Sequence, residues 1–433
     1  MLDIKKIREN PEFYREETKK KNSGVSIDSV LELDAKRREL IAETEKLKAE
    51  RNAASKKIGD LKKAGQNADS AVEEMRLVGD KISELDAKIR LVDEEQTDKL
   101  LRIPNVAHAA TPEGSSSEDN VVVRSWRPSV GVENFQPLQA ALDHKALGEK
   151  LGIFDFERGA KISGSGFPVY RGLGARLERA LIQWFLDSHR ERFGFEEVIP
   201  PYLVTRKTMT GTGQLPKFEE DMYACDKNDD LFLIPTAEVP VTNLYADEII
   251  PESSLPLKLC AYSACFRREA GSYGKDTRGL LRLHQFNKVE MVYFSHPEKS
   301  YENHEELVGF AEKLLQELGL QYRVVALCKG DLGFGAAKCY DLEVFAPVEN
   351  KWLEVSSVSN YEDYQARRAN IRTKINGKNT FVHTLNGSGL ATPRIMVAIC
   401  DQYQQADGSL VIPEVLRGYM GSVEKISIDS IAL

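Results

Sequence analysis

Residues 265–294, "CFRREAGSYGKDTRGLLRLHQFNKVEMVYF", read as two β-strands joined by a polar loop, with more charge at their edges than a plain hairpin tolerates. Arg267 and Glu269 lie two apart and on a strand share a face, as do Phe286, Lys288 and Glu290. Fixed charges on a buried sheet face are costly unless something pairs them. Such a sheet either carries an internal salt-bridge network or faces a ligand that takes an arginine, two carboxylates and an aromatic ring. Spacing alone leaves both open.

Around this stretch lies a chain of 433 residues, long enough for two or three domains and a large core. Its 29% charged and 42% hydrophobic residues are an ordinary globular mix. The net charge of −8 means that a nucleic-acid partner would have to be held by a local basic patch. No apolar run marks a secretory leader or a membrane span, so neither is expected. Six cysteines fall at 225, 260, 265, 328, 339 and 400 with no CxxC pair. That spacing disfavours a metal or disulfide framework and fits a reducing cytoplasm.

The first quarter has its own grammar. Leu33, Leu40, Leu47, Ala54 and Leu61 repeat at sevens, with Val30, Thr44 and Ile58 between them. Met75, Val78, Ile82, Leu85, Ile89 and Val92 step by threes and fours. Both are narrow heptad seams, separated by "KKAGQNADSA", whose Gly65 and Asn67 suit a turn. The simplest geometry over 28–101 is an antiparallel helical hairpin with two helices of roughly 30–35 residues, about 50 Å long. From Lys46 to Gly65 the basic residues are Lys46, Lys48, Arg51, Lys56, Lys57, Lys62 and Lys63, against Glu50 and Asp60: seven minus two, an excess of five. That tip is either a solvated coiled-coil surface or a surface that tracks phosphates.

Residues 102–120, "RIPNVAHAATPEGSSSEDN", read as irregular. Strands interspersed with helices follow, an α+β pattern. The division expected is a helical arm over 1–110, a linker over 111–130 and a second domain over 131–433. In that domain a helix ends near Gly194, a strand is broken by Pro200 and Pro201, and an amphipathic helix closes at Gly319.

Other segments carry chemistry. "IPTAEVP" places Thr236 and Glu238 on one side of an extended segment. "WLEVSS" offers Glu354, Ser356 and Ser357, oxygen donors of the kind Mg²⁺ accepts; a surface serine run reads equally well. "HTLNGSGLATPRIMVAICDQYQ" reads as a Gly-rich turn feeding an apolar helix with Arg394 near its start. Arginine's planar fork suits phosphate oxygens, Phe286 offers a ring for a base, and Glu290 can accept from an ammonium or hydroxyl. The face of the opening strands therefore matches a nucleotide beside an amino-bearing substrate. GxxxxGK[ST], GxGxxG after a strand, GxSxG and HExxH are all missing.

With these residues in hand, the chain resembles the bacterial-type seryl-tRNA synthetases, class II aminoacyl-tRNA synthetases, over essentially its whole length. "GFEEVIPPYLV", "CFRREAG…RGLLRLHQFNKVE" and "GSGLATPR" are similar to the three class II signatures, in order. "TAE", "GTGQLPKF" and "HTLNGSG", behind an N-terminal hairpin, point to the seryl member. The resemblance implies a mainly antiparallel sheet flanked by helices. It also implies activation of L-serine by ATP to seryl-adenylate, and transfer to tRNA(Ser). By the same logic tRNA(Sec) would be serylated in a host that has one. It implies that Arg267 contacts the α-phosphate, Glu269 and Arg282 help hold the nucleotide, Phe286 stacks on adenine and Arg394 meets the γ-phosphate. Glu354 and Ser357 would hold Mg²⁺, and no zinc is expected. Thr236, Glu238 and Glu290 would bind serine, with Asn386 and Ser388 nearby. Arg51, Lys56, Lys57, Lys62 and Lys63 would meet the long variable stem of the tRNA. A homodimer formed around Pro201 is expected, and no editing domain is evident. A truncated amino acid:carrier-protein ligase would lack the arm, threonyl and prolyl enzymes lack this hairpin, and a non-catalytic adaptor would not retain the full charge set.

Overall fold

The computed structural model describes every residue except 22–23, 129–140, 226, 271–277 and 430–433. The middle of the opening stretch's polar loop, residues 271–277, the last residues of the expected linker and the expected start of the second domain therefore lie outside the described residues. The chain divides into two compact units, Met1–Pro104 and Asn105–Leu433.

In the first unit, two short helices, α1 (Ile4–Glu9) and α2 (Pro11–Lys20), precede two long ones, α3 (Ile27–Lys63) and α4 (Asp69–Leu101). The long pair has 37 and 33 residues and realises the hairpin that the heptads imply. Gly65 takes φ +71°, a left-handed conformation that ends α3 without a Cβ clash, and Asn67 accepts from the amide of Asp69. Val30, Leu33, Thr44, Ile82, Leu85 and Val92 are buried in the seam, while Leu47, Ala54, Ile58, Leu61, Met75 and Val78 nearer the tip are only half-buried. A two-stranded seam has no third element to close it, so burial thins wherever the neighbouring side chains are short or polar. Cross-helix ion pairs, Lys48–Asp86 at 3.2 Å and Lys81–Glu43 at 2.9 Å, flank it.

The second unit is built on an eight-stranded sheet. In chain order its strands are β1 (Val121–Trp126), β2 (Glu196–Glu197), β3 (Leu257–Phe266), β4 (Gln285–Ser295), β5 (Tyr322–Ala326), β6 (Lys338–Ala346), β7 (Lys351–Asn360) and β8 (His383–Ala391). Across the sheet they run β1-β5-β6-β7-β8-β4-β3-β2. Every pairing is antiparallel except the parallel edge pair β2–β3. Three further helices are α5 (Gly172–Arg192), α7 (Ser300–Glu317) and α9 (Thr392–Tyr403), with the short α6 (Glu238–Asn243) and α8 (Tyr364–Ala369) between them. Leu177, Leu181 and Phe185 of α5, Leu307, Ala311 and Leu314 of α7 and Ile395–Ile399 of α9 share one core cluster with Val289, Met291 and Tyr293 of β4. That leaves the alternate residues of β4 on the other face.

Three readings of the sequence change here. Residues 121–126, expected in a linker, form the edge strand β1, because Val121, Val122 and Arg124–Trp126 pair with β5 around a bulge at Val123. Segment 383–391, expected as a Gly-rich turn, is the inner strand β8, because its glycines serve close packing. A Cβ on Gly387 would approach Val358 to 2.9 Å, and one on Gly389 would strike His189 of α5. Thr236 and Glu238 are not extended: Glu238 begins α6, and Thr236 Oγ1 accepts from its amide at 3.2 Å. The proline-broken strand behaves as expected; β2 is an edge strand that ends before Pro200, leaving Ile199 84% exposed.

Candidate active site

Along β4 the side chains alternate. Phe286, Lys288 and Glu290 face away from the helical layer. Register places Ser388 of β8 opposite Glu290, and Asn386 opposite Ser359 of β7. Above this floor opens a cavity of about 330 Å³, lined by Thr236, Glu238, Arg267, Glu269, Arg282, Phe286, Glu290, Glu354, Ser357, Asn386, Ser388 and Arg394. The fold thus brings together every candidate that the sequence offered in this unit except Ser356. The tip residues Arg51, Lys56, Lys57, Lys62 and Lys63 belong to the other unit, where the four lysines are exposed and Arg51 is half-buried.

One end of the cavity is cationic. β3 stops at Phe266, so Arg267 and Glu269 are not strand neighbours as the spacing suggested. The chain leaves the sheet there, and Glu269 takes φ +51°, a conformation that non-glycine residues avoid. Both side chains still reach the cavity. The Arg267 guanidinium lies 5.1 Å from the centroid of the Phe286 ring, and Arg282 is ion-paired with Glu269. Arg394, on the first turn of α9, donates to the Glu354 carbonyl at 2.7 Å and stands 3.6 Å from the Glu354 carboxylate.

Glu354 and Ser357 share this end because of a bulge. Leu342 pairs with Ser356 and Glu343 with Glu354, so Val355 is the extra residue on β7. Simple alternation would set Glu354 beside Ser356. The bulge instead sets it beside Ser357, while Ser356 turns to the other face and donates to the Ser388 carbonyl at 2.6 Å. Glu354 keeps a side chain 48% exposed. A half-hydrated carboxylate beside a hydroxyl is a fitting partial shell for a hard divalent cation whose other ligands are phosphate oxygens and water. Among the described residues no cluster of three or more His, Cys, Asp or Glu could hold a metal by itself.

The other end holds buried carboxylates. Glu290 is ion-paired with Lys288, whose ammonium also donates to Thr236 Oγ1 at 2.9 Å; Thr236 in turn donates to Glu290 at 3.2 Å. Glu238 lies beside them with no cation of its own. Burial, and after it the Glu290 charge, push the Glu238 carboxyl up to about 7. Gln365 of α8 opposes that shift by donating to Glu238 at 2.6 Å. Asn386 Nδ2 is buried without an aligned hydrogen-bond partner among the described residues, although the amide lies close enough to favour the Glu238 charge. An acceptor pair with an idle donor between strands suits a small substrate carrying both an ammonium and a hydroxyl.

Beneath the floor, Glu178 of α5 accepts from Asn287 of β4 at 2.9 Å and from Thr392 at the start of α9. Burial pushes its carboxyl up to about 7. One side chain thus ties together the strand bearing Phe286 and the helix bearing Arg394. Reading from the sequence missed Glu178 and Gln365, since each sits in a helical segment where a polar residue looks like solvated surface. Lys288 was visible through its alternation with Phe286 and Glu290, but its pairing was not.

Comparison with known proteins follows the same division. Residues 1–107 match the seryl-tRNA synthetase N-terminal domain, and residues 217–403 match the tRNA synthetase class II core domain (G, H, P, S and T). The chain is 51% identical over 427 residues to a serine–tRNA ligase of Chlorobaculum parvum, covering 97% of this chain and 99% of that one. It is 55% identical over 424 residues to a serine–tRNA ligase of Caldicellulosiruptor saccharolyticus, covering 98% and 99%. The fold superposes with a TM-score of 0.90 on the crystal structure of seryl-tRNA synthetase from Pyrococcus horikoshii complexed with ATP, at 39% identity over 98% of this chain and 99% of that chain.

Proposed function

Because this chain belongs to the serine–tRNA ligase family, ATP-dependent ligases with a class II synthetase core, we propose that its cavity activates L-serine and that its helical arm selects the tRNA. The observation that supports this best is the adjacency, in one cavity, of Arg267, Phe286 and Arg394 with the buried pair Glu238 and Glu290.

In the first step a serine carboxylate oxygen attacks the α-phosphorus of ATP. The bond from that phosphorus to the bridging oxygen breaks, and pyrophosphate leaves. No protein nucleophile is required; positioning and neutralisation of developing charge carry the rate. Arg267 is assigned to the α-phosphate and Arg394 to the γ-phosphate, with Glu269 and Arg282 framing the nucleotide and Phe286 stacking on adenine. Glu354 and Ser357 would hold Mg²⁺, which when bound neutralises phosphate charge. In the second step a terminal ribose hydroxyl of the tRNA attacks the seryl carbonyl and AMP leaves. An adjoining cavity of about 710 Å³, which shares Thr236, Glu238, Arg267 and Glu354, leaves room for that terminal nucleotide.

For serine, the ammonium and hydroxyl are assigned to Glu238, Glu290, Thr236, Asn386 and Ser388. A site built around a hydroxyl rejects alanine, because its own buried polar groups would be left unpaired. The arm's Arg51, Lys56, Lys57, Lys62 and Lys63 are assigned to the phosphates of the long variable stem of tRNA(Ser), and of tRNA(Sec) where the host makes one. The edge at β2, with Ile199 exposed beside Pro200 and Pro201, is the surface through which a second copy is proposed to bind. Cytoplasmic operation fits six cysteines that are all free thiols.

The deciding experiment is amino-acid-dependent ATP–pyrophosphate exchange followed by charging of tRNA. Exchange with serine but not alanine or threonine, and serylation of tRNA(Ser), is the expected result. Exchange that is indifferent to serine would end this reading. Light scattering at micromolar concentration should give a dimer; a monomer would remove the second-copy assignment.

A further inference from the structure

We propose that Gln365 is the positioning residue for serine recognition, holding Glu238 so that one carboxylate oxygen is committed to the protein and the other is presented to the substrate. This rests on the assignment of Glu238 to serine made above.

Gln365 is fully buried on α8, away from the nucleotide end. Its Nε2 donates to Glu238 Oε1 at 2.6 Å and to the Thr212 carbonyl at 3.2 Å, and its Oε1 accepts from Thr384 Oγ1 at 2.7 Å. The Thr212 carbonyl can only accept, so the nitrogen must face it and the amide has one possible orientation. Three separate segments, the end of the helix before Gly213, α6 and β8, meet on this one side chain, and all three partners are themselves buried. A surface-facing glutamine would have water to substitute for any of these bonds; here nothing else can.

The consequence for Glu238 is specific. Lys288 is engaged by Glu290 and Thr236, so Gln365 is the strongest aligned donor that the Glu238 carboxylate has. A neutral donor fixes a carboxylate without cancelling its charge, which stays available for the ammonium or hydroxyl of serine. A lysine in the same place would neutralise it. A hydrocarbon would leave it free to turn and, with Glu290 adjacent, to take up a proton. The charged and titratable groups facing Glu238 are Glu290 and Lys288 from β4, and Tyr361 from the segment leading into α8.

The test uses the whole enzyme in ATP–pyrophosphate exchange, with serine and ATP varied separately. Gln365→Met, of similar volume, should raise the serine KM about 10- to 100-fold, the range for one hydrogen bond to a charged group, and leave the ATP KM within about twofold. Gln365→Glu supplies a pH signature. While its carboxyl is protonated, its O–H can replace the amide N–H toward Glu238; once ionised, it repels Glu238. Its serine KM should therefore climb at least about tenfold from pH 6 to 8.5, more steeply than the parent's. A side chain that merely fills space would produce neither the split between substrates nor the low-pH rescue.

If Gln365→Met fails to fold, Thr384→Val, which frees only the acceptor end of the amide, should still raise the serine KM about threefold. A serine KM within twofold of the parent in both Gln365→Met and Gln365→Glu at pH 8.5 overturns the proposal, as does an equal rise in the two KM values. Glu238→Gln, run alongside, separates the failures. If it leaves the serine KM unchanged, the serine-site reading itself is wrong. If it raises that KM while Gln365→Met does not, only the positioning role falls.

Discussion

In the helical hairpin, charged side chains stay at the surface and the seam is apolar, with Asp34 the main exception, held at 3.0 Å by both Arg8 and Arg38. In the catalytic unit Glu238, Lys288 and Glu290 are at most 7% exposed, the last two on a sheet face above a dense core and Glu238 on the helix that covers it. The hairpin meets its electrostatic cost by leaving charges in water, where surface pairs contribute little. The catalytic unit carries charge into a low-dielectric site, where each group needs a built partner and where the same charge acts far more strongly on a ligand. Loss of one residue that lines the site should therefore be felt as chemistry, and loss of one arm residue only as a share of a distributed surface.

The sharpest way to break that contrast is Arg267→Ala. Loss of a preorganised donor at developing phosphate charge should cut serine-dependent exchange by roughly two to three orders of magnitude, while tRNA binding through the arm stays unchanged. Near-normal exchange would show that the cationic end of the cavity does not face the reacting phosphate.

At the arm, changing Lys56, Lys57, Lys62 and Lys63 together to Ala should weaken tRNA binding about tens- to a hundredfold. It should flatten the dependence of log affinity on log salt by roughly 0.7–0.9 for each phosphate that a lysine no longer neutralises. Exchange without tRNA should be unaffected. An unchanged salt slope would return the tip to a plain solvated surface.

Glu238→Gln tests the cost of burial itself. The Glu238 carboxyl titrates near 7 in the fold against 4.5 for the unperturbed group. Between those values the folded chain holds a proton that the unfolded chain has lost, so this group's contribution to stability falls as pH rises through the window. The glutamine variant has no such titration. Relative to the parent it should gain stability from pH 4.5 to 7, by about 3 kcal/mol at the plateau, and denaturation at pH 5 and pH 8 measures the swing. An unchanged difference between the two pH values would mean that the carboxyl is better solvated than its surroundings indicate.

The smallest effect belongs to the hairpin turn. Gly65→Ala forces a Cβ into φ +71° and should cost about 1–2 kcal/mol, read as a lower thermal midpoint of the arm with exchange intact. A neutral result would mean that the turn relaxes into another conformation.

The repeat of sevens from Leu33 to Leu61 and the threes and fours from Met75 to Val92 were enough to place the two long helices, because a two-helix seam depends on local periodicity and little else. The opening strands were equally legible: Phe286, Lys288 and Glu290 share a face because strand alternation is a local rule. The same rule failed two strands away, where the bulge at Val355 moved Glu354 from Ser356 to Ser357. A bulge answers to the register of the neighbouring strand, which no local pattern records. It failed again at Arg267 and Glu269, which reach the cavity only after the chain has left the sheet.

By itself the sequence determined the helical arm, its basic tip, the α+β grammar and the residue types that meet in the cavity, since each is written in short-range spacing or in a motif. Only the tertiary structure decided which of those residues share a face, and that Gln365 and Glu178 stand behind them. The bonds of Gln365 to Thr212 and Glu238 span 153 and 127 residues, and that of Glu178 to Asn287 spans 109. A polar side chain in a helix looks the same from its neighbours in sequence whether water or a carboxylate awaits it; only the packing of distant segments removes the water and makes the carboxylate its partner.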